Sequence, residues 1–359
     1  MSSKDTGVFH DMRVDHLKLY VTNLTQSAAY FAGAYGFTAP TVPNGRTAML
    51  EANRIRFELV QPTAGDRAAS TFTERHGDGV GDIALCVLDP AAAFHEAVRR
   101  GARPICAPAD HGGGVTATIA GFADVTHTFV KGTDTPCPPL PHAAPHGGSP
   151  SQQHPGLIEV DHLAVCVQPG ELEPLAAFYE RVFDFETTFT EHIVVGTQAI
   201  RTTAVQSRSG RVTLTLIEPD TTRDPGQIDR FLHDHGGAGV QHVAFSTGSI
   251  VDTVRSLTRG GVNFAHTPAT YYDLLTRRLT PVRYTADRLK ELSILVDVDQ
   301  GGQLFQIFSK SVHPLNTLFF EIIERQGGRT FGGGNIAALY ESVRLEESAA
   351  GLRRGSHRS

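Results

Sequence analysis

The chain of 359 residues has an ordinary globular composition, with 40% hydrophobic and 19% charged residues, and its length predicts two domains. A formal net charge of −6 argues against a nucleic-acid partner, because binding to phosphates needs a basic surface. The sequence contains no long apolar run that could cross a membrane and no apolar signal-peptide core at its N-terminus. Its four cysteines show no paired spacing, so we expect a cytoplasmic location.

The two halves of the chain repeat the same blocks in the same order. VDHLKLYV at 14–21 resembles VDHLAVCV at 160–167, and HGDGVGDIAL at 76–85 resembles HGGAGVQHVAF at 235–245. A helix-like stretch follows each of these blocks. Matched blocks in one order indicate an internal duplication.

Each copy predicts a strand, a helix and then several strands, in βαβββ order, and therefore an α+β fold whose curved sheets could enclose a cavity. In the second copy, strict alternation separates His162 from the apolar Leu163 on opposite faces of the first strand. A helix is expected over 172–183. The strand at 211–220 alternates again and carries Thr215 on the face opposite its leucines.

A stretch rich in Pro, Gly, Ser and His separates the two copies at 131–156. Such a composition cannot build a core and predicts a linker. We therefore expect an N-terminal domain over 10–135, a linker over 136–156, a C-terminal domain over 157–345 and a tail over 346–359.

Two histidines and one glutamate suggest a metal site in the second copy. His162 opens its strand, His242 lies in GVQHVAF, and Glu321 lies in an apolar strand, where a buried carboxylate is costly unless paired or bound to a metal. Two imidazoles and one carboxylate form the facial triad of non-haem Fe(II) oxygenases. A strand histidine is also a common core or edge residue, and Glu321 could point outward, so the pattern alone leaves both interpretations open.

The first copy provides an internal comparison for this site. It has His16 at the position of His162 and Asp82 at the position of His242, but its strand at 117–130 contains no glutamate. We interpret this half as a relic and predict one metal ion, in the C-terminal half.

Five motifs of the second copy resemble one enzyme family, 4-hydroxyphenylpyruvate dioxygenase and its sister 4-hydroxymandelate synthase, of the vicinal oxygen chelate superfamily. The motifs are VDH (160–162), GAGVQHVAF (237–245), GGQLFQIF (301–308), FFEIIERQG (319–327) and FGGGNIAALYESV (331–343). The resemblance implies tandem βαβββ units forming two open-barrel domains. It also implies that His162, His242 and Glu321 bind Fe(2+).

The chemistry implied by the resemblance starts from 4-hydroxyphenylpyruvate, an aryl 2-oxo acid, together with O2. Loss of CO2 is followed either by hydroxylation of the benzylic carbon, giving 4-hydroxymandelate, or by hydroxylation of the ring, giving homogentisate. The first product would place the enzyme in specialised metabolism such as antibiotic biosynthesis. A metal-free binding protein on the same fold is the rival from another class.

Several positions bear on the choice between these products. The ring-hydroxylating enzymes have PLNEP where this chain has TLIEP, which places Thr215 and Ile217 at the Pro and Asn positions. They have GNF…LFE where this chain has GNI…LYE, with Ile336 and Tyr340. These replacements resemble the synthase and favour 4-hydroxymandelate. Thr202 departs from the serine of the family but keeps its hydroxyl group.

The remaining candidate pocket residues carry amide or aromatic side chains. Gln227, Gln241 and Gln306 could bind a phenol or a carboxylate, and Phe308 and Phe319 could contact the substrate ring. Plain core packing is the alternative role of the two phenylalanines.

The segment 335–343 predicts an amphipathic helix with Asn335 as its N-cap, either a lid over the cavity or a simple packing helix. For partners, we expect the aryl 2-oxo acid and O2, with no nucleic acid and no membrane. A homodimer is one assembly that the chain could form.

Overall fold

The computed structural model describes residues 7–38, 45–63, 65–110, 112–132, 155–299 and 301–336. In these ranges it contains fifteen strands and eight helices with both ends described, and a last helix begins at Gly333. The strands are β1 (Arg13–Tyr20), β2 (Thr47–Ala52), β3 (Ile55–Val60), β4 (Gly79–Val87), β5 (Pro104–Asp110), β6 (Val115–Ala120), β7 (Thr126–Lys131), β8 (Leu157–Cys166), β9 (Glu186–Val195), β10 (Gln198–Gln206), β11 (Thr213–Pro219), β12 (Gly239–Thr247), β13 (Leu295–Asp299), β14 (Gly302–Phe308) and β15 (Phe319–Gln326). The helices are α1 (Leu24–Tyr35), α2 (Arg67–His76), α3 (Pro90–Arg99), α4 (Leu172–Phe183), α5 (Gln227–Asp234), α6 (Ile250–Gly260), α7 (Ala269–Arg278) and α8 (Ala286–Glu291).

The strands form two mixed sheets of similar topology. The N-terminal sheet has the order β2-β3-β1-β4-β7-β6-β5, and the C-terminal sheet has the order β13-β14-β15-β12-β8-β11-β10-β9. In each sheet two central antiparallel strands, β1 with β4 and β8 with β12, are each flanked by a parallel neighbour. The duplicated βαβββ organisation predicted from the sequence is therefore confirmed. Between α1 and β2, the described residues contribute one isolated bridge, in which Thr38 pairs with Glu51 of β2.

Two strands of the C-terminal sheet, β11 and β15, each carry a buried glutamate that caps the N-terminus of a helix. Glu218 Oε2 accepts hydrogen bonds from the backbone N–H groups of Gly170 and Leu172 at the start of α4. Glu324 Oε2 likewise accepts from the N–H of Ile250 at the start of α6. A carboxylate at a helix N-terminus satisfies free N–H groups and complements the helix dipole. The predicted helix over 172–183 coincides with α4.

The convex faces of the two sheets share one hydrophobic core. Phe31 and Phe57 of the N-terminal half contact Phe320 of the C-terminal half, with ring centroids 5.5 and 6.1 Å away. Phe245 stacks on Phe320 at 5.4 Å and 14°. The opposite, concave face of the C-terminal sheet is thereby left for polar side chains, because alternate residues of a strand point to opposite faces.

The C-terminal end of the described chain corrects one prediction. The last helix begins at Gly333, so Asn335 is not its N-cap. The backbone N–H of Asn335 donates to the carbonyl of Gly332, and its Oδ1 accepts from the hydroxyl of Tyr271 at 2.7 Å. Gly332 has a φ of 78° and lies so close to Gln306 that a Cβ would not fit. The glycines of this segment, not the asparagine, allow the chain to turn into the helix.

Parts of other predictions fall outside the described residues. Tyr340 and the rest of the predicted helix lie there, as do the tail and most of the 136–156 linker. The domain bounds accordingly stay a prediction. No helix in the described part of the chain is long and apolar enough to span a membrane.

Replacing Phe57 by alanine should lower the free energy of unfolding by about 3–5 kcal/mol, because the change opens a cavity where both halves meet. Chemical denaturation followed by circular dichroism measures this loss. Leu88→Ala, at a side chain that is 74% exposed, is the control and should change stability by less than about 0.5 kcal/mol. Equal effects of the two substitutions would contradict a shared core.

Candidate metal centre

Three strands bring the predicted metal ligands onto one face of the sheet. Ala244 on β12 is the Cα partner of His162 on β8 and of Glu321 on β15. His242 on β12 is the partner of Ala164 on β8. Directly opposed residues of neighbouring strands point to the same face, so the three ligand side chains share the concave surface. Both positions between the ligands carry alanine, whose side chain is a single methyl group.

The ligand atoms of these three residues converge. Glu321 Oε2 lies 3.4 Å from His162 Nε2 and 3.3 Å from His242 Nε2. All three residues are buried, and their candidate ligand atoms lie within 4.8 Å of one another. Glu321 is 2% exposed, and its Oε1 has no hydrogen-bond partner in the part of the chain that the structure describes. Two imidazole nitrogens and a carboxylate suit a divalent transition metal, and the unpartnered oxygen is the kind of atom that such an ion would satisfy.

A partly buried ion pair between Asp161 and Arg325 orients His162. Its Nδ1–H donates to Asp161 Oδ1 at 2.8 Å, which leaves Nε2 directed toward Glu321. Asp161 in turn accepts two hydrogen bonds from Arg325, at 2.9 and 2.8 Å. A carboxylate behind a histidine ligand fixes the ring and its tautomer. The side-chain oxygen of Gln241 lies 3.3 Å from His242 Nδ1 and serves the second histidine in the same way.

The electrostatics of the cluster favour a bound cation. Burial opposes ionisation of Asp161, but Arg325 and His162 hold its pKa well below the usual value. For His162, burial is outweighed by the hydrogen bonds to Asp161 and Glu321, and its pKa rises to about 9. For Glu321, burial is again opposed by both histidines, and the pKa is lowered. Arg325 already balances the charge of Asp161, and Glu321 is anionic beside both imidazoles, so a metal ion would take the place of the proton that His162 holds against Glu321.

Aromatic rings surround the metal ligands. Phe319 stacks on His242 with ring centroids 5.1 Å apart, and Phe308 meets the same imidazole edge-on at 5.7 Å. Phe331 packs against His162 at 4.9 Å. Phe308, Phe319 and Phe331 are only partly buried, so they retain surface for a further aromatic group.

Four of the predicted polar pocket residues are buried with a polar atom that has no hydrogen-bond partner among the described residues. These atoms are Thr202 Oγ1, Thr215 Oγ1, Gln306 Oε1 and Asn335 Nδ2. The registers place Thr215 on the face of Ala164, and Gln306 on the face of Ile323, both on the concave side. Buried polar groups normally have partners, so this concentration indicates a surface built to receive a ligand or ordered water.

Other predicted pocket residues have different environments. Ile217 is buried between Thr202 and Cys166 on the concave face, and Ile336 is half-buried in the last helix. Gln227, in contrast, is exposed at the first residue of α5, so its contact with a ligand stays a prediction. The sequence reasoning missed the Asp161–Arg325 pair, although the repeated VDH motif already placed an aspartate beside each first histidine.

Residues 159–279 match the model of the Glyoxalase/Bleomycin resistance protein/Dioxygenase superfamily. The fold and the site define a member of this superfamily, and the predicted vicinal oxygen chelate fold is confirmed.

Relatives that match nearly the whole chain identify the family within this superfamily. Over 94% of its length the chain is 31% identical to the 4-hydroxyphenylpyruvate dioxygenases of Dictyostelium discoideum and Caenorhabditis briggsae, of which 98% and 92% are covered. A solved structure of a triple mutant of 4-hydroxymandelate synthase from Streptomyces coelicolor is 38% identical, with a TM-score of 0.80 and coverage of 94% of this chain and 99% of that one. The chain belongs to the 4-hydroxyphenylpyruvate dioxygenase family, whose members are non-haem iron dioxygenases.

Asp161→Asn should weaken the binding of a divalent transition metal by about 10- to 100-fold, because the amide no longer fixes the tautomer of His162. Titration with Co(II), followed by its absorption bands, measures the dissociation constant. Asp15→Asn is the matched control, since Asp15 holds His16 in the N-terminal half with the same 2.8 Å hydrogen bond. If both variants bound Co(II) like the parent protein, Asp161 would have no positioning role.

Proposed function

We propose that this protein is an Fe(II)-dependent dioxygenase that converts 4-hydroxyphenylpyruvate and O2 to 4-hydroxymandelate and CO2. The observation that carries the proposal is the convergence of His162, His242 and Glu321 in a buried site lined by aromatic rings and unpartnered polar atoms. The similarity to 4-hydroxymandelate synthase, at 38% identity over almost the full chain, supports the choice of product.

The three ligands suit iron(II), which would supply adjacent positions for the 2-oxo acid and for O2. Glu321 brings a negative charge, and Asp161 keeps the Nε2 of His162 available. Arg325 neutralises Asp161, and its position over the ring of Phe331 connects this pair to the wall of the cavity. These residues therefore hold the metal ligands in one geometry before the substrate arrives.

The reaction balances without a second oxo acid, because the substrate supplies its own. One oxygen atom of O2 enters the new carboxylate and the other forms the benzylic hydroxyl group, while the original carboxylate leaves as CO2. Phe308, Phe319 and Phe331 would exclude water and contact the substrate ring. The hydroxyl and amide groups of Thr202 and Gln306 would bind the polar groups of the substrate.

Formation of homogentisate from the same substrate is the second candidate, because the relatives from Dictyostelium and Caenorhabditis are 4-hydroxyphenylpyruvate dioxygenases. The difference between the two products is which carbon of the substrate faces the oxidant. Ile217 offers an apolar, branched side chain on the concave face, next to Thr202 and Cys166. It cannot hydrogen-bond to the ring hydroxyl, and this favours the benzylic product.

The direct test incubates the protein with 4-hydroxyphenylpyruvate, Fe(II), ascorbate and O2, and separates the products by chromatography. We expect 4-hydroxymandelate and CO2 in equal amounts. The Glu321→Gln variant is the metal-deficient control. Its turnover should fall by more than about 100-fold, because changing a ligand should cost more than changing a residue that only orients a ligand, such as Asp161. Homogentisate as the main product would transfer the assignment to the second candidate, and turnover without Fe(II) would refute both.

Ile217→Asn should shift the product ratio toward homogentisate by at least about tenfold, equivalent to about 1.4 kcal/mol between the two transition states. The physical reason is that an amide on this face can hold the polar end of the substrate in a different orientation. The same chromatographic assay gives the ratio.

Ile217→Val, which keeps an apolar branched side chain, is the matched control for that substitution. Its product ratio should equal that of the parent protein. A shift of the same size in both variants would mean that cavity volume, not polarity, selects the product.

A further inference from the structure

The N-terminal sheet contains a polar cluster on its own concave face. Lys18 on β1 is the Cα partner of Glu58 on β3 and of Asp82 on β4. His16 lies two residues earlier on β1 and therefore points to the same face. These four side chains come from three neighbouring strands, as the metal ligands of the C-terminal half do.

The strand registers relate this cluster to the candidate metal centre position by position. The pairing of β1 with β4 repeats that of β8 with β12, and the flanking parallel pairs repeat as well. The corresponding residues are His16 with His162, Asp82 with His242, Glu58 with Thr215, and Thr128 with Glu321. Three of these four positions thus carry metal-binding side chains in each half. Lys18 stands where the C-terminal sheet has Ala164.

The contacts in the N-terminal cluster also resemble those of the metal centre. His16 Nδ1–H donates to Asp15 at 2.8 Å, so that its Nε2 faces Glu58 Oε2 at 3.7 Å. Lys18 Nζ lies 3.2 Å from the same carboxylate oxygen. Asp15 thus orients His16 as Asp161 orients His162, and the ammonium group of Lys18 lies beside the carboxylate that His16 faces.

Asp82 has the free atom that such a site needs. It is 2% exposed, and its Oδ1 accepts from the hydroxyl groups of Thr126 and Thr128. Its buried Oδ2 has no hydrogen-bond partner within the described ranges. Lys18 is the Cα partner of Asp82, and its Nζ lies 3.2 Å from Glu58, so its ammonium group is an opposite charge on the face that both carboxylates share. The ammonium group therefore supplies the positive charge that a metal ion would supply in the other half.

We propose that Lys18 acts as the built-in cation of a second, concealed metal site with His16, Glu58 and Asp82 as donors, and that removing its side chain lets a divalent ion bind there. The side chains of Lys18 and Glu58 are 29% and 26% exposed, which gives an ion a route from solvent. Among the described residues, only the C-terminal trio has its ligand atoms within 4.8 Å of one another. Asp82 must turn away from its threonines, so this site is the weaker of the two.

Lys18→Ala tests the proposal when it is combined with Glu321→Gln, which disables the C-terminal site. Co(II) titration by calorimetry and visible absorption should give one binding equivalent, at least tenfold tighter than in the Glu321→Gln protein with Lys18 intact. The thermal midpoint of the double variant should rise with Co(II), and that of the single variant should not.

Two further variants separate a metal site from a plain ion pair. Adding Asp82→Asn to the double variant should abolish Co(II) binding, because one of the three donors is lost. Lys18→Arg in the same background keeps a cation at this position and should bind Co(II) no better than the protein with Lys18 intact, whereas binding as tight as that of Lys18→Ala would contradict the role of the charge.

The proposal is wrong if Lys18→Ala binds Co(II) no better than its parent, or if binding survives Asp82→Asn. If Lys18→Ala does not fold, Co(II) added during refolding should restore the native circular dichroism spectrum. Failure of Co(II) to restore it would equally contradict the proposal.

Discussion

The antiparallel pairing of β8 with β12 is the constraint on which the C-terminal site depends. Its register places Ala164 opposite His242 and Ala244 opposite His162, and the parallel pairing of β12 with β15 adds Glu321 to the same face. A slip of one residue would turn every side chain of a strand to the other face. The imidazoles would then enter the aromatic core and the apolar residues would fill the cavity. The same strand register therefore produces both the hydrophobic core and the candidate metal centre.

The sequence predicted the residues of the site better than their surroundings. Duplication and strand alternation single out His162 and His242 as candidates, and only the resemblance to the dioxygenase family favours a metal site over core or edge residues. The Asp161–Arg325 pair spans 164 residues and depends on which strands become neighbours, and no local pattern records that. The N-cap assigned to Asn335 was wrong because the prediction weighed a capping side chain and overlooked the conformational freedom of the preceding glycines.

The relic interpretation of the N-terminal half was incomplete for the same reason. It compared His16 and Asp82 with their counterparts but could not include Glu58, since the parallel pairing of β3 with β1 is a property of the folded sheet. With Glu58 included, each half places carboxylates beside a histidine on one face of its sheet. An unbalanced buried charge is expensive, and the N-terminal sheet has Lys18 where the C-terminal sheet has the uncharged Ala164.

Under the proposed function, this difference assigns catalysis to the C-terminal half. A lysine tethered to β1 neutralises its neighbours permanently and fills the space that a substrate would need, as does Tyr20 at the position of Cys166. The C-terminal half instead keeps alanines around its ligands and leaves polar atoms such as Thr215 Oγ1 unpartnered. Such a surface costs stability in the absence of a ligand, and a protein retains that cost where binding provides the missing partners. The aromatic core shared with the N-terminal half holds this unsatisfied face in place.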